Sequence, residues 1–407
     1  MNRKSTLLLM FAHVASDLTQ GAVAGFLPVF VAERHWSYAT AGSLLLALNL
    51  SSSVVQPAFG HWADHKPRTW LIPLGLVLAG GGLALAGWMP TYHLVIAALA
   101  LAGIGVAAFH PAAAQALHSI AGEKRATAMG IFTVGGNVGF AIGPLLATGV
   151  VLVAGLRGSA LLLIPVWVMA ALVAANLRRF PVKAEQSTHH TAGLPNVLSR
   201  NSWGGFGALA AAIFCRSAAF VALNAFLAAY WIRALGQTRA EGGLALSLLL
   251  GAGAAGTVLG GWMADRYGRK TVIVSGLTVA GLLLFLVIGV SRADVAMPLL
   301  VPLGLAFFAP SSVLVTLGQE YLPERVGLAS GVTLGLSVTV GGLAAPLLGR
   351  IVDQHGFEAM FAVAGGLALG AGLIASILPR PKQARAPIPV KQTLGATPWA
   401  GSADAGR

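Results

Sequence analysis

Long apolar runs recur from one end of this chain to the other, each close to bilayer-spanning length and each ended by a short polar or Gly/Pro stretch. About 20 apolar residues cross the hydrocarbon core as a helix, which is favoured there because it satisfies every backbone N–H and C=O internally. Such runs fall at roughly 5–31, 38–63, 69–88, 93–119, 126–154 and 158–177, then 204–232, 241–264, 270–290, 295–318, 326–349 and 357–378. Of 407 residues, 56% are hydrophobic and only 10% charged, with a mean hydropathy of +0.78. A soluble domain carries about 25% charged residues. The fold class predicted is an all-α polytopic membrane protein with twelve transmembrane helices. Arg3 and Lys4 before an apolar start resemble a signal peptide, but the run continues to Val31 without a small-residue cleavage pattern and reads as the first span.

The chain also repeats itself. Gly60, Asp64 and Arg68, between the second and third runs, recur as Gly261, Asp265 and Arg269, each 201 residues downstream. Phe109-His110-Pro111 recurs as Phe308-Ala309-Pro310 at an offset of 199, and Gly143-Pro144 as Ala345-Pro346 at 202. A repeat of this length means a duplicated structural unit. The domains expected are an N-terminal six-helix bundle (1–177), a polar linker (178–203), a C-terminal six-helix bundle (204–378) and a disordered tail (379–407) rich in Pro, Ala and basic residues.

Charge sets the orientation. Nineteen of the 26 Lys and Arg fall on the side of the termini and linker, six on the other, and Arg216 lies inside a span. The positive-inside rule makes the termini and linker cytoplasmic, in a multi-pass protein of the plasma (inner) membrane. The net charge of +13 is scattered between apolar runs rather than clustered. It therefore points to membrane lipid and not to nucleic acid. The single cysteine, Cys215, allows no disulfide framework.

Gly261-Trp-Met-Ala-Asp265-Arg266-Tyr-Gly268-Arg269-Lys270 resembles the signature loop of major facilitator transporters, whose two six-helix halves are parallel repeats. The first copy departs from it, with His65 in place of the Arg and Pro67 in place of the second Gly. The resemblance implies a cytoplasmic gate made of Gly60, Asp64, Arg68, Gly261, Asp265, Arg266 and Arg269, whose acidic and basic groups pair and cap a facing helix end. A carboxylate is favoured at a helix N-terminus and pairs with guanidinium. His65 could make that gate pH-sensitive.

Further motifs resemble the fosmidomycin-resistance branch of drug exporters. They are His13-x-x-x-Asp17 with Leu27-Pro28, Asn49 through Gln56-Pro57, Phe109-His110-Pro111, and Gly135-Gly136-Asn137-x-Gly139 with Gly143-Pro144, together with Arg216. Gly135, Gly139 and Gly143, like Ala252, Gly256, Gly260 and Ala264, form small-residue ridges that let helices approach closely. In the family the fifth helix packs on the eighth, which implies that these ridges form the rocking interface between the halves.

Chemistry must sit in the few polar groups at membrane depth. His13, Asp17 and Gln20 are four and three residues apart and share one helix face. Intramembrane charges are functional by default. Asp17 and Arg216 are expected to face each other across a central cavity, with Asp17 carrying the proton and Arg216 anchoring a substrate anion or the deprotonated Asp17; the alternative is a static ion pair. His110 is either a relay that shares proton coupling with His13 and Asp17, or a histidine bonded to a carbonyl freed by Pro111. Asn49, Ser52, Ser53 and Gln56 form one polar stripe, which either lines the cavity or joins helices by hydrogen bonds. Asn137 and Asn224 carry the same ambiguity, Asn224 sharing a face with Arg216 and Phe220.

The function expected is a proton-coupled antiporter exporting small, anionic or drug-like compounds by alternating access, acting as a monomer. The alternatives are a proton symporter importing a small organic or sugar acid and a receptor without transport. The sequence holds no Ser/His/Asp arrangement, metal-ligand spacing or phosphate-binding Gly-rich loop followed by Lys-Ser/Thr. An enzyme is not expected, nor a cofactor or metal; the partners expected are a small-molecule substrate, protons and lipid.

Overall fold

The structure is a computed structural model describing residues 2–65, 68–122, 125–180 and 201–379. The predicted disordered tail beyond Pro379 and most of the predicted linker lie outside the described residues, as do the side chains of Asp64 and His65. Six passes of the first half are α1 (Arg3–Arg34), α2 (Tyr38–His65), α3 (Leu71–Ala86), α4 (Tyr92–Ala121), α5 (Arg125–Ala154) and α6 (Leu163–Ala175). The second half holds α7 (Trp203–Arg233), α8 (Arg239–Tyr267), α9 (Arg269–Gly289), α10 (Ala293–Phe308), α11 (Pro310–Tyr321) and α12 (Val326–Ser376). Two details differ from twelve unbroken spans. The tenth pass is α10 followed directly by α11, with Pro310 opening the second piece, since proline is favoured at a helix start. The eleventh and twelfth passes together make α12, divided at Gly356 by a non-helical turn with φ 85°, a conformation glycine adopts without Cβ strain.

Within the first half α1 packs on α5 and α4 on both α2 and α3; within the second α7 and α9 pack on α12, and α8 on α10. The halves meet through α2 against α12, α5 against α8, and α1 against α7. Large apolar side chains such as Leu152, Val153, Ile164, Val258, Leu373 and Ile377 are exposed on the outside, where lipid is their solvent.

The small-residue ridges do not form the rocking interface. Side chains built at Gly135, Gly139 and Gly143 would run into the backbone of α1 at Met10, Val14 and Ala22, and α1 answers with Gly21 and Gly25 against Phe140 and Pro144. Gly256 and Gly260 press in the same way on Leu305 and Ala309. Both contacts are internal to one half. Backbone-to-backbone approach gives dense dispersion contact, and it sits where the packing need never separate. α5 does pack on α8, through positions such as Thr148 against Gly243.

Candidate transport site

Two polar assemblies lie at membrane depth, one in each half. In the first, α1 presents Asp17 to two imidazoles. His13 Nε2 lies 3.1 Å from Asp17 Oδ2, and His110 Nε2, from α4, lies 3.1 Å from Asp17 Oδ1. The two Nε2 atoms are 3.2 Å apart. Each ring is fixed from behind: His13 Nδ1 is 2.8 Å from the carbonyl of Phe132, and His110 Nδ1 is 3.0 Å from that of Val106. The carbonyl freed by Pro111 is that of Ala107, so it is not the partner of His110.

A carbonyl oxygen only accepts, so each Nδ1 must donate. That leaves two ring nitrogens and a carboxylate converging on one another. Three acceptors in contact repel unless at least one proton lies between them, so protons hold this cluster together. Their ligand-type atoms all lie within 4.8 Å, a proximity invisible in the linear spacing. Phe132 stacks on His13 with ring centroids 4.0 Å apart. Gly136 of α5 forms the floor: a Cβ there would come within 2.5 Å of His13 Nε2 and 2.7 Å of Asp17 Oδ2.

In the second half, Arg216 is buried at 8% exposure. Its Nη2 donates to Ser311 Oγ at 2.6 Å and to the Phe307 carbonyl at 3.4 Å, while its guanidinium lies 5.2 Å from the centre of the Phe307 ring. Its Nε and the Oδ1 of Asn224 are buried without a hydrogen-bond partner. Buried polar atoms are normally satisfied, and both residues line the same cavity.

Arg216 and Asp17 make no ion pair with each other, so the static pair weighed as the alternative is not formed. Each charge is compensated within its own half, Asp17 by histidines and Arg216 by Ser311 and an aromatic face. Between them is a cavity of about 210 Å³ lined by Gln20, Asn49, Phe140, Arg216, Phe220 and Asn224, among others. Gln20 belongs to both sites, since its Nε2 also donates to Asp17 Oδ1 at 3.1 Å.

Other expected residues fall elsewhere. Gln56 is exposed and Asn137 half-buried, and neither lines this cavity. Ser53 bonds the Asn49 carbonyl and Ser51 the Ala47 carbonyl of their own helix, so these hydroxyls satisfy α2 rather than join helices. Among the residues expected to form the gate, Arg68 stacks 3.9 Å over Trp62. Gly60 faces Pro111, and Gly261 faces Ser312, at contact distance only. Asp265 and Arg266 are exposed, with Arg266 near the Trp262 ring. Arg269 pairs with Glu320 of its own half. Among the described residues, these gate groups make no ion pair between the halves.

Sequence inspection assigned no site role to Gly136, although it stands in a motif, and none to Phe140 or Ser311. The repeat could have revealed Ser311. In both halves the first helix carries a charge that bonds a polar side chain beside the proline of the fourth pass: Asp17 to His110 next to Pro111, and Arg216 to Ser311 next to Pro310.

A profile of the Major Facilitator Superfamily matches residues 9–346 and 209–403. The chain belongs to that superfamily. It is a transporter and not an enzyme, and its sequence resembles the fosmidomycin resistance protein of Escherichia coli (strain K12), 29% identical over 383 residues and covering 91% of each chain. It is similarly close to the uncharacterized MFS-type transporter YfnC of Bacillus subtilis (strain 168), 28% identical and covering 93% of each. Its fold matches a bacterial homologue of the human lysosomal transporter Spinster, crystallised in an inward-facing and occupied conformation. The TM-score is 0.74 at 15% identity, covering 92% of this chain and 94% of that one.

Proposed function

We propose that this transporter is a proton-coupled antiporter of the plasma (inner) membrane that exports small organic anions by alternating access, as a monomer with both termini cytoplasmic. The observation that carries this reading is the place of Gln20, bonded to Asp17 and lining the cavity that holds Arg216. Protons occupy the His13–Asp17–His110 cluster, and substrate occupies the cavity. Arg216 meets the anion with its free Nε, Asn224 offers a carbonyl to a donor, and Phe140 and Phe220 face the apolar part. A proton entering from outside rearranges the hydrogen bonds of Asp17, which reach the cavity through Gln20. Substrate leaves outward as the proton leaves to the cytoplasm. A membrane potential contributes about 2.3 kcal/mol per charge per 100 mV. Export and an anionic cargo are supported by the similarity to the fosmidomycin resistance protein and by the buried cation in the cavity.

The test uses fosmidomycin as probe. Inside-out vesicles energised with an acid interior should accumulate it, and Asp17→Asn should abolish that accumulation while leaving exchange across equal pH. Accumulation only by right-side-out vesicles with an acid exterior would establish import and overturn the direction. Gradient-driven accumulation that survives Asp17→Asn would remove the proton role of the cluster.

A further inference from the structure

The contacts that join the halves at the end away from the termini take no part in the proton cluster or the cavity. There α2 begins, and the first N–H groups of a helix lack partners within it. Ser37 caps Thr40 locally, its Oγ accepting from Thr40 N at 3.1 Å. The two preceding N–H groups are taken from the other half. Asp353 of α12 accepts from Tyr38 N through Oδ1 at 2.8 Å and from Ala39 N through Oδ2 at 2.9 Å. A carboxylate so placed also meets the positive end of the helix dipole.

The surroundings are built to fit. The Tyr38 ring stands edge-on to Phe357 of α12 at 5.0 Å and to Phe226 of α7 at 6.2 Å. Side chains at Gly42 and Gly349 would collide with the backbone at Ala345 and Tyr38, so glycine on both helices permits the approach. Beside this contact, Glu33 at the end of α1 pairs with Arg239 at the start of α8 at 3.3 Å.

We propose that Asp353, seated on the N-terminus of α2, is an outer latch that holds the two halves closed at the end away from the termini, with Glu33–Arg239 as a secondary clasp. The proposal rests on the alternating-access reading above. Among the described residues, Asp353 with α2 and Glu33 with Arg239 join the halves at this end, whereas Arg68, Arg266 and Arg269 at the opposite end meet groups of their own half. Opening outward must strip both N–H groups from the exposed carboxylate of Asp353. The balance between the two states is therefore sensitive to this one carboxylate.

The test needs no substrate. In a Cys215→Ser background, pairs of spin labels are placed at Thr91 and Ser291 on the far end, and at Ser119 and Tyr267 on the end of the termini, all exposed positions. Distances are measured by pulsed electron paramagnetic resonance in lipid nanodiscs. Asp353→Ala should raise the population with a lengthened far-end and shortened near-end distance at least fivefold. Glu33→Arg should raise it less, and adding Arg239→Glu should reverse that rise. Gly349→Trp, a wedge at the tight contact, serves as the control for opening itself. If the wedge shifts both distances and monodisperse Asp353→Ala does not, the latch is wrong while rocking stands. If neither variant shifts them, alternating access in this chain is overturned together with the latch.

Discussion

At the scale of single residues, Asp17 and Arg216 solve one problem in different ways. A lone charge at the bilayer centre is unfavourable by at least about 2.5 kcal/mol. Asp17 is met by two imidazoles and an amide, whereas Arg216 is met by a hydroxyl, a carbonyl and a ring. Protons can enter and leave the first set, but guanidinium does not give up its proton. Three outcomes follow. Gln20→Leu should leave fosmidomycin exchange at equal pH within about threefold of the parent, roughly 0.7 kcal/mol, while gradient-driven accumulation falls to background. Vesicle flux measured with and without a pH gradient separates the two effects. Gly136→Ala should behave like Asp17→Asn, because the added methyl collides with His13 and Asp17. Gly130→Ala, which meets nothing within 4 Å, is its control. Arg216→Lys keeps the charge but loses the planar fork that serves Ser311 and the ligand, and should raise the apparent KM about tenfold, read from concentration-dependent exchange.

At the scale of elements, the glycines of α1 and α5 decide how the first half holds together. The spacing of Gly135, Gly139 and Gly143 showed that a close helix contact exists, but not which helix it serves, because several helices neighbour α5. The partner is α1, which carries glycines of its own in register. Gly139→Ala should destabilise by about 1–3 kcal/mol through overpacking against Val14. Gly251→Ala on an open face of α8 should be neutral or stabilising by up to about 1 kcal/mol from helix propensity. Thermal unfolding of the two purified variants, followed by fluorescence-detected size-exclusion chromatography, compares them directly. A loss at both positions would remove the assignment of this ridge to α1. Pro310 shows the same limit in another form: its place near the end of a span was visible, while the change from α10 to α11 depends on how the backbone is packed there.

At the scale of the whole molecule, two halves of similar design meet along α2–α12 and α5–α8, and transport by alternating access requires that those contacts come apart. Glu33→Cys and Arg239→Cys, joined by a reducible bifunctional thiol reagent in a Cys215→Ser background, should arrest transport on cross-linking and release it on reduction. The two side chains meet across the interface beside these contacts. Vesicle flux before and after a reductant provides the check, and undiminished flux in the fully cross-linked protein would show that the halves need not separate there.

The sequence alone determined the helical membrane class, the duplication and the roster of intramembrane polar residues. Each of these follows from local rules: bilayer thickness sets span length, a fixed offset reveals duplication, and a charge inside an apolar run stands out. It also showed that His13, Asp17 and Gln20 share a face, since helical spacing fixes that without a partner. The tertiary structure alone decided that Asp17 belongs with His110 and not with Arg216, that Gln56 and Asn137 lie off the cavity, and that Asp353 reaches α2. Those pairings join residues about 90 to 315 positions apart. Helix rotation and neighbour choice set such contacts, and neither is encoded in periodicity when nearly every face of a helix is apolar.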